Sequence, residues 1–122
     1  MNVMIVESNA AQAGLWASHL ERQGARVQVA GGETAAVALL EHESDPCDVI
    51  VLNLVLDDGS AFAVADFASF RRPNARIIFV TGTTFFSDGS IFQHVPNACA
   101  FLPAATPVED LAALVEHYGR VQ

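Results

Sequence analysis

Lysine is missing from this chain of 122 residues; its six basic residues are all arginine, set against fourteen acidic ones, for a net charge of −8. A balance this acidic repels phosphate backbones and excludes a nucleic-acid binder that works through a basic face. Long apolar runs are also missing. The longest candidate, Val49 to Leu56, is interrupted by Asn53 and falls well short of the ~20 residues a membrane helix needs. Met1 and Asn2 lead straight into apolar residues without the basic segment that opens a secretory signal. The expectation is a cytoplasmic protein with no membrane partner. Cysteine is scarce: Cys47 and Cys99 are a pair in number only. Each heads an apolar run expected to be a strand, and the two strands are expected to have one other between them. Two strand spacings are about 9–10 Å, beyond the ~7 Å limit for a disulfide, so two reduced, largely buried thiols are expected. The four histidines, 19, 42, 94 and 117, are scattered and show no metal-ligand spacing. Repeats, low-complexity runs and linkers are absent, and the length suits one domain, 1–122, with no output domain attached.

What is present is apolar material in abundance: 52% of the residues are hydrophobic, eight of them Phe. The pattern alternates strand and helix. Strands are expected at Val3–Val6, Arg26–Ala30, Val49–Leu54, Ile77–Val80 and Cys99–Leu102. The first, third and fourth are nearly continuous aliphatic runs, which suits parallel strands covered on both faces. Helical spacing lies between them: Ala13, Trp16, Ala17 and Leu20, stopped by Gly24; Ala36, Leu39 and Leu40; Ala63, Phe67 and Phe70; and Val108, Leu111, Ala112 and Val115. Thr106, Pro107 and Glu109 form a capping box for the last helix, with Gly119 just past its end. Such alternation with short connections means an open, doubly wound parallel sheet. Sheets of this kind bind ligands beyond the carboxyl ends of their strands. That directs attention to Glu7 and Ser8, to 53–59, to 81–84 and to 103–106.

At those positions the chain resembles a response-regulator receiver domain (CheY-like) of two-component signalling. The resemblance rests on the order of Met-Ile-Val-Glu at the first strand, Gly24 with Val27, and Leu-Asp-Asp-Gly at 56–59. It continues through Phe-Val-Thr-Gly at 79–82, Ala-Phe-Leu at 100–102 and the capped last helix. It implies a flavodoxin-like (βα)5 three-layer sandwich with sheet order 2-1-3-4-5 and five helices. It also implies an acceptor Asp, an acidic pair holding Mg²⁺, a Lys, and a switch pair. The acceptor position is here Asn53, the acidic pair is Glu7 and Ser8, and the lysine position is Ala104; Thr81 and Phe101 match the switch pair. An amide is no nucleophile for phosphoryl transfer, Mg²⁺ wants anionic oxygens, and Ala104 leaves the phosphoryl charge without a cation. The expectation is a pseudo-receiver with no cofactor, Mg²⁺ lost and no catalysis. It would bind a histidine kinase, a phosphotransfer protein, another regulator or a second copy of itself.

Other readings stay open for single residues. Ser8 suits the N-cap of the first helix, with Asn9 competing, and Asn53 suits a strand end where it satisfies buried backbone groups. Asp57-Asp58-Gly59-Ser60 is turn chemistry ending in an N-cap, although Asp57 or Asp58 is the candidate for an alternative phosphoacceptor, and Glu7 and Asp57 are weak candidates for metal. A flavin or nucleotide binder of flavodoxin-like architecture is a third reading, disfavoured because the loop after the first strand has no glycines. Finally, Phe85, Phe86 and Phe92 form either core under a long loop or an apolar partner surface.

Overall fold

The three inner strands are runs of residues whose side chains water rejects, and the burial follows that chemistry. In the computed structural model, which describes residues 1–42, 46–82 and 95–120, β1 (Asn2–Val6), β3 (Val49–Asn53) and β4 (Arg76–Thr81) are almost wholly buried. The edge strands β2 (Arg26–Ala30) and β5 (Ala98–Pro103) are not. All pairings are parallel, in the order β2-β1-β3-β4-β5. This is the expected flavodoxin-like topology, and the strand boundaries lie within one residue of those read from the sequence.

Alternation along the strands divides the core in two. Met4, Val6, Ile50, Leu52, Ile77 and Phe79 face α2 (Glu33–Glu41) and α3 (Ala61–Arg71). Val3, Ile5, Val49, Val51, Ile78 and Val80 face α1 (Ala10–Arg22) and the C-terminal helix α4 (Val108–Arg120). Four helices are thus present among the described residues; the fifth expected helix falls on 83–94, outside them, as do Phe85, Phe86 and Phe92. None of the described helices is long and apolar enough to cross a membrane.

Helix α1 buries the four residues its spacing singles out, Ala13, Trp16, Ala17 and Leu20. Gly24 adopts φ +96° at its end, while Gly24 N donates to Glu21 O at 3.0 Å and Ala25 N to Leu20 O at 3.1 Å. That pair of bonds is the Schellman closure, which needs a left-handed residue and therefore favours glycine. Helix α4 begins at Val108, one residue later than the capping box indicates, and buries Leu111, Ala112 and Val115 as expected. It runs to Arg120, so Gly119 lies within it and does not end it; its φ is not positive, and a left-handed glycine is what would close the helix.

Helix α3 departs from expectation. Its buried residues are Ala61, Val64, Ala65 and Ala68, whereas Ala63 is exposed, Phe67 half-buried and Phe70 81% exposed. Small alanines bring the helix close to the sheet, and the phenyl rings are too large for that gap. The free thiols of Cys47 and Cys99 accord with the sequence reading. Burial, the main cause in both, pushes Cys47 up to about 12 and Cys99 up to about 11.

Candidate functional site

The carboxyl ends of β1, β3, β4 and β5 bring together Glu7, Asn53, Thr81 and Ala104, and the loops after β1 and β3 add Ser8, Asp57 and Asp58. Glu7 follows β1 directly, its backbone N–H donating to Ala30 O at 3.0 Å, and it is only 6% exposed. A buried carboxylate needs hydrogen-bond partners or it costs several kcal/mol. Asn53 supplies them. Its Nδ2 donates to Glu7 Oε1 at 3.0 Å and to Oε2 at 2.9 Å, while its Oδ1 accepts from Val55 N at 2.9 Å. The backbone bond fixes which end of the amide is oxygen, since that atom must accept and the atoms facing Glu7 must donate. Asn53 therefore does satisfy a backbone group, as one sequence reading had it, but its amide is also the partner of Glu7.

Ser8 is not the cap of α1. That role belongs to Asn9, whose Oδ1 accepts from Gln12 N at 3.0 Å. The Ser8 hydroxyl instead donates to Gly31 O at 2.7 Å and accepts from Asp57 N at 2.9 Å. It ties the loop after β1 to the loops after β2 and β3. Both cap candidates suit the local sequence, and the choice is made by partners 23 and 49 residues away.

The loop after β3 is clasped a second time. Helix α2 has Gly32 at its N-cap and no side-chain cap of its own. Asp58 serves instead from across the groove: its Oδ2 accepts from Thr34 N at 3.0 Å and its carbonyl from Glu33 N at 2.9 Å. Glu33 Oε1 returns the interaction by accepting from Ser60 N at 2.8 Å. This is a capping box built between two segments, with anions at a helix N-terminus where the backbone dipole favours them. Ser60 in turn caps α3, accepting from Ala63 N at 3.4 Å, the N-cap expected at the end of that turn. Sequence reasoning missed the pairing of Asp58 with α2; the missing signal was that Gly-Gly before Glu33 leaves α2 uncapped.

Thr81 ends β4 buried, at 2% exposure, and its carbonyl accepts from Ala104 N at 2.7 Å. Phe101, half-buried on β5, packs against the core on the α2–α3 side. Ala104 is exposed on the turn after β5, and Asp57 is exposed beside Ser8. Positive charge is confined to one end of the sheet. Arg22 ends α1, Arg26 opens β2, Arg71 and Arg72 close α3, Arg76 opens β4 and Arg120 ends α4. Every basic side chain apart from histidine therefore lies at the amino end of the strands, and the site end carries Glu7, Glu33, Asp57, Asp58, Glu109 and Asp110. Open cavities of about 500 and 540 Å³ lie at that amino end too, lined by Asp48, Arg76, Asn97 and Tyr118 and by Met1, Leu20 and Val115, and so bear on none of these residues.

Solved structures of this shape include receiver domains of response regulators. A CheY-like receiver domain protein from Methanospirillum hungatei JF-1 is 19% identical with a TM-score of 0.86, over 97% of this chain and 92% of that one. The non-phosphorylated HemR receiver domain from Leptospira biflexa is 19% identical with a TM-score of 0.84, over 99% and 95%. A response regulator from Burkholderia pseudomallei, solved with a phosphorylated aspartic acid, a calcium ion and citrate, is 25% identical with a TM-score of 0.77, over 98% and 72%. No protein-family model matches the chain, nor does any curated protein. The chain has the receiver-domain fold.

Proposed function

We propose that this chain is a receiver-like signalling module that acts by binding other proteins and not by accepting a phosphoryl group. The observation that carries the reading is the Asn53–Glu7 clamp. Where a working receiver places an acceptor carboxylate and a metal, this chain places an amide whose Nδ2 donates to both oxygens of the remaining acid. An amide cannot form the acyl phosphate that an ionised carboxylate forms.

The donor set does not fit Mg²⁺. That ion requires octahedral oxygen ligands, with carboxylates preferred. Both oxygens of Glu7 accept from Asn53, the Asn53 oxygen accepts from Val55, and the Ser8 hydroxyl is held between Gly31 and Asp57. Neither alternative acceptor gains support: the Asp58 carboxylate caps α2, and no arginine lies at this end of the sheet to offset a phosphoryl charge. The partners in keeping with the fold are a histidine kinase, a phosphotransfer protein or another regulator, and no catalytic step is assigned to the chain.

The test is incubation with acetyl phosphate and Mg²⁺ followed by intact-mass measurement. An unchanged mass is expected. A gain of one phosphoryl group, labile in mild alkali, would overturn the reading, and mapping it to Asp57 or Asp58 would identify the acceptor.

A further inference from the structure

Among the described residues, helix α3 is apolar on both faces and fully packed on one. Its inner face, Ala61, Val64, Ala65 and Ala68, is fully packed, at 0–2% exposure. Its outer face carries Phe62 at 42% and Phe70 at 81% exposure, with exposed Ala63 and Asp66 between them. A helix hydrophobic all round is ordinarily buried all round, and Phe70 is the most exposed large apolar side chain among the described residues. The ring of Phe62 is already seated, its centroid 6.4 Å from that of Phe79.

Phe62, Asp66 and Phe70 stand at i, i+4 and i+8 and so form one ridge, about 12 Å from end to end at 1.5 Å per residue. Asp66 is its only charge. The cations nearest in sequence are turned away: Arg71 Nη2 donates to Glu41 O at 2.8 Å and Arg72 Nη2 to His42 O, closing the C-terminal end of α2.

We propose that this ridge docks an amphipathic helix of another protein, one that carries aliphatic residues about two turns apart with an arginine or lysine midway. The proposal deepens the binding-module reading and rests on it. Charge decides the occupant. A second copy of this chain, packed antiparallel through a two-fold axis at the ridge centre, would set Asp66 against Asp66 and bring together two molecules of charge −8. A basic residue on a different helix meets Asp66 with opposite sign, while aromatic rings supply the contact area that anchors interfaces.

The experiment titrates the full ¹⁵N-labelled chain with two synthetic 16-residue helical peptides. Both carry leucines eight positions apart; one has arginine midway and the other glutamate. Saturable amide shifts centred on 60–72 are expected with the arginine peptide, with affinity at least tenfold weaker for the glutamate peptide. Asp66→Arg should reverse that preference, and Phe70→Ala should abolish binding while leaving the urea midpoint unchanged. Shifts centred on another element, no saturation at millimolar peptide, or equal binding of both peptides would overturn the proposal. So would a dimer in sedimentation equilibrium that Phe70→Ala dissolves, since the ridge would then belong to a second copy. A midpoint lowered by Phe70→Ala as much as by Trp16→Ala would mean that the chain covers the ring itself. Failure here, with no phosphoryl gain from acetyl phosphate, removes this surface and leaves the binding-module reading standing.

Discussion

Placing a carboxylate at position 53 by Asn53→Asp should destabilise the fold, by an amount that the geometry sets. Nδ2 lies 2.9 and 3.0 Å from the oxygens of Glu7; an oxygen in its place brings two negative charges to about 3 Å. At an effective dielectric constant of about 20, Coulomb's law gives roughly 5 kcal/mol of repulsion at that distance. Binding a proton avoids it. Holding a proton at pH 7 on a carboxyl of ordinary pKa near 4 costs about 4 kcal/mol, at 1.36 kcal/mol per unit, and the shared O–H then donates to Glu7 as the amide does now. Protonation is thus the cheaper route, and about 4 kcal/mol is the expected loss at pH 7, a large part of the roughly 5–15 kcal/mol that holds a domain together.

In this variant the folded state holds one more proton than the unfolded chain, so its stability relative to the parent falls as pH rises above about 4. The deficit should shrink to about 1.4 kcal/mol at pH 5. Urea denaturation of parent and variant at pH 5, 6 and 7 measures it directly. Equal midpoints at pH 7, or a deficit independent of pH, would refute the clamp as described.

Acetyl phosphate should label the triple variant Ser8→Asp, Asn53→Asp, Ala104→Lys more than Asn53→Asp alone, by intact mass; equal labelling would show that Ser8 and Ala104 are not deficits. Gly59→Ala should lower the urea midpoint more than Gly24→Ala: both residues have positive φ, but a Cβ at Gly59 would also clash with the Glu33 side chain, whereas Gly24 has open space. The left-handed conformation alone costs about 1–2 kcal/mol. Because the Cys47 thiol is raised from 9.0 to about 12 by burial, its contribution is complete below pH 9 and is lost as pH rises through that window. Cys47→Ala should therefore flatten the alkaline limb of the stability profile between pH 9 and 11, followed by circular dichroism.

Much of this fold was legible because its strands are aliphatic runs and two of its helices have polar outer faces. Trp16 and Leu20 in α1 and Leu111 and Val115 in α4 could be assigned from spacing alone. In α3 eight of the eleven residues are apolar, so every face of the helix fits a core and periodicity carries no information. The choice was made by the width of the gap to the sheet, which admits Ala65 and Ala68 but not Phe70. At the candidate site, resemblance marked the positions but not the bonds. Asn53 meets Glu7 across 46 residues and Asp58 meets Thr34 across 24, and no local pattern encodes such pairings.

The ties made by Ser8 and Asn53 also bear on the mutational routes open to this sequence. A step to aspartate at position 53, taken first, sets a second carboxyl against Glu7 without a cation, and the pair must hold a proton to stay folded. A step to aspartate at position 8, taken first, removes the hydroxyl that joins Gly31 to Asp57 and adds an anion beside buried Glu7. Only the change at exposed Ala104 leaves the network undisturbed, and taken alone it yields no acceptor. Single-residue paths towards phosphoryl chemistry therefore cross a valley of stability, and a population carrying this site would stay on its present side through epistasis, without any selection acting against the chemistry itself.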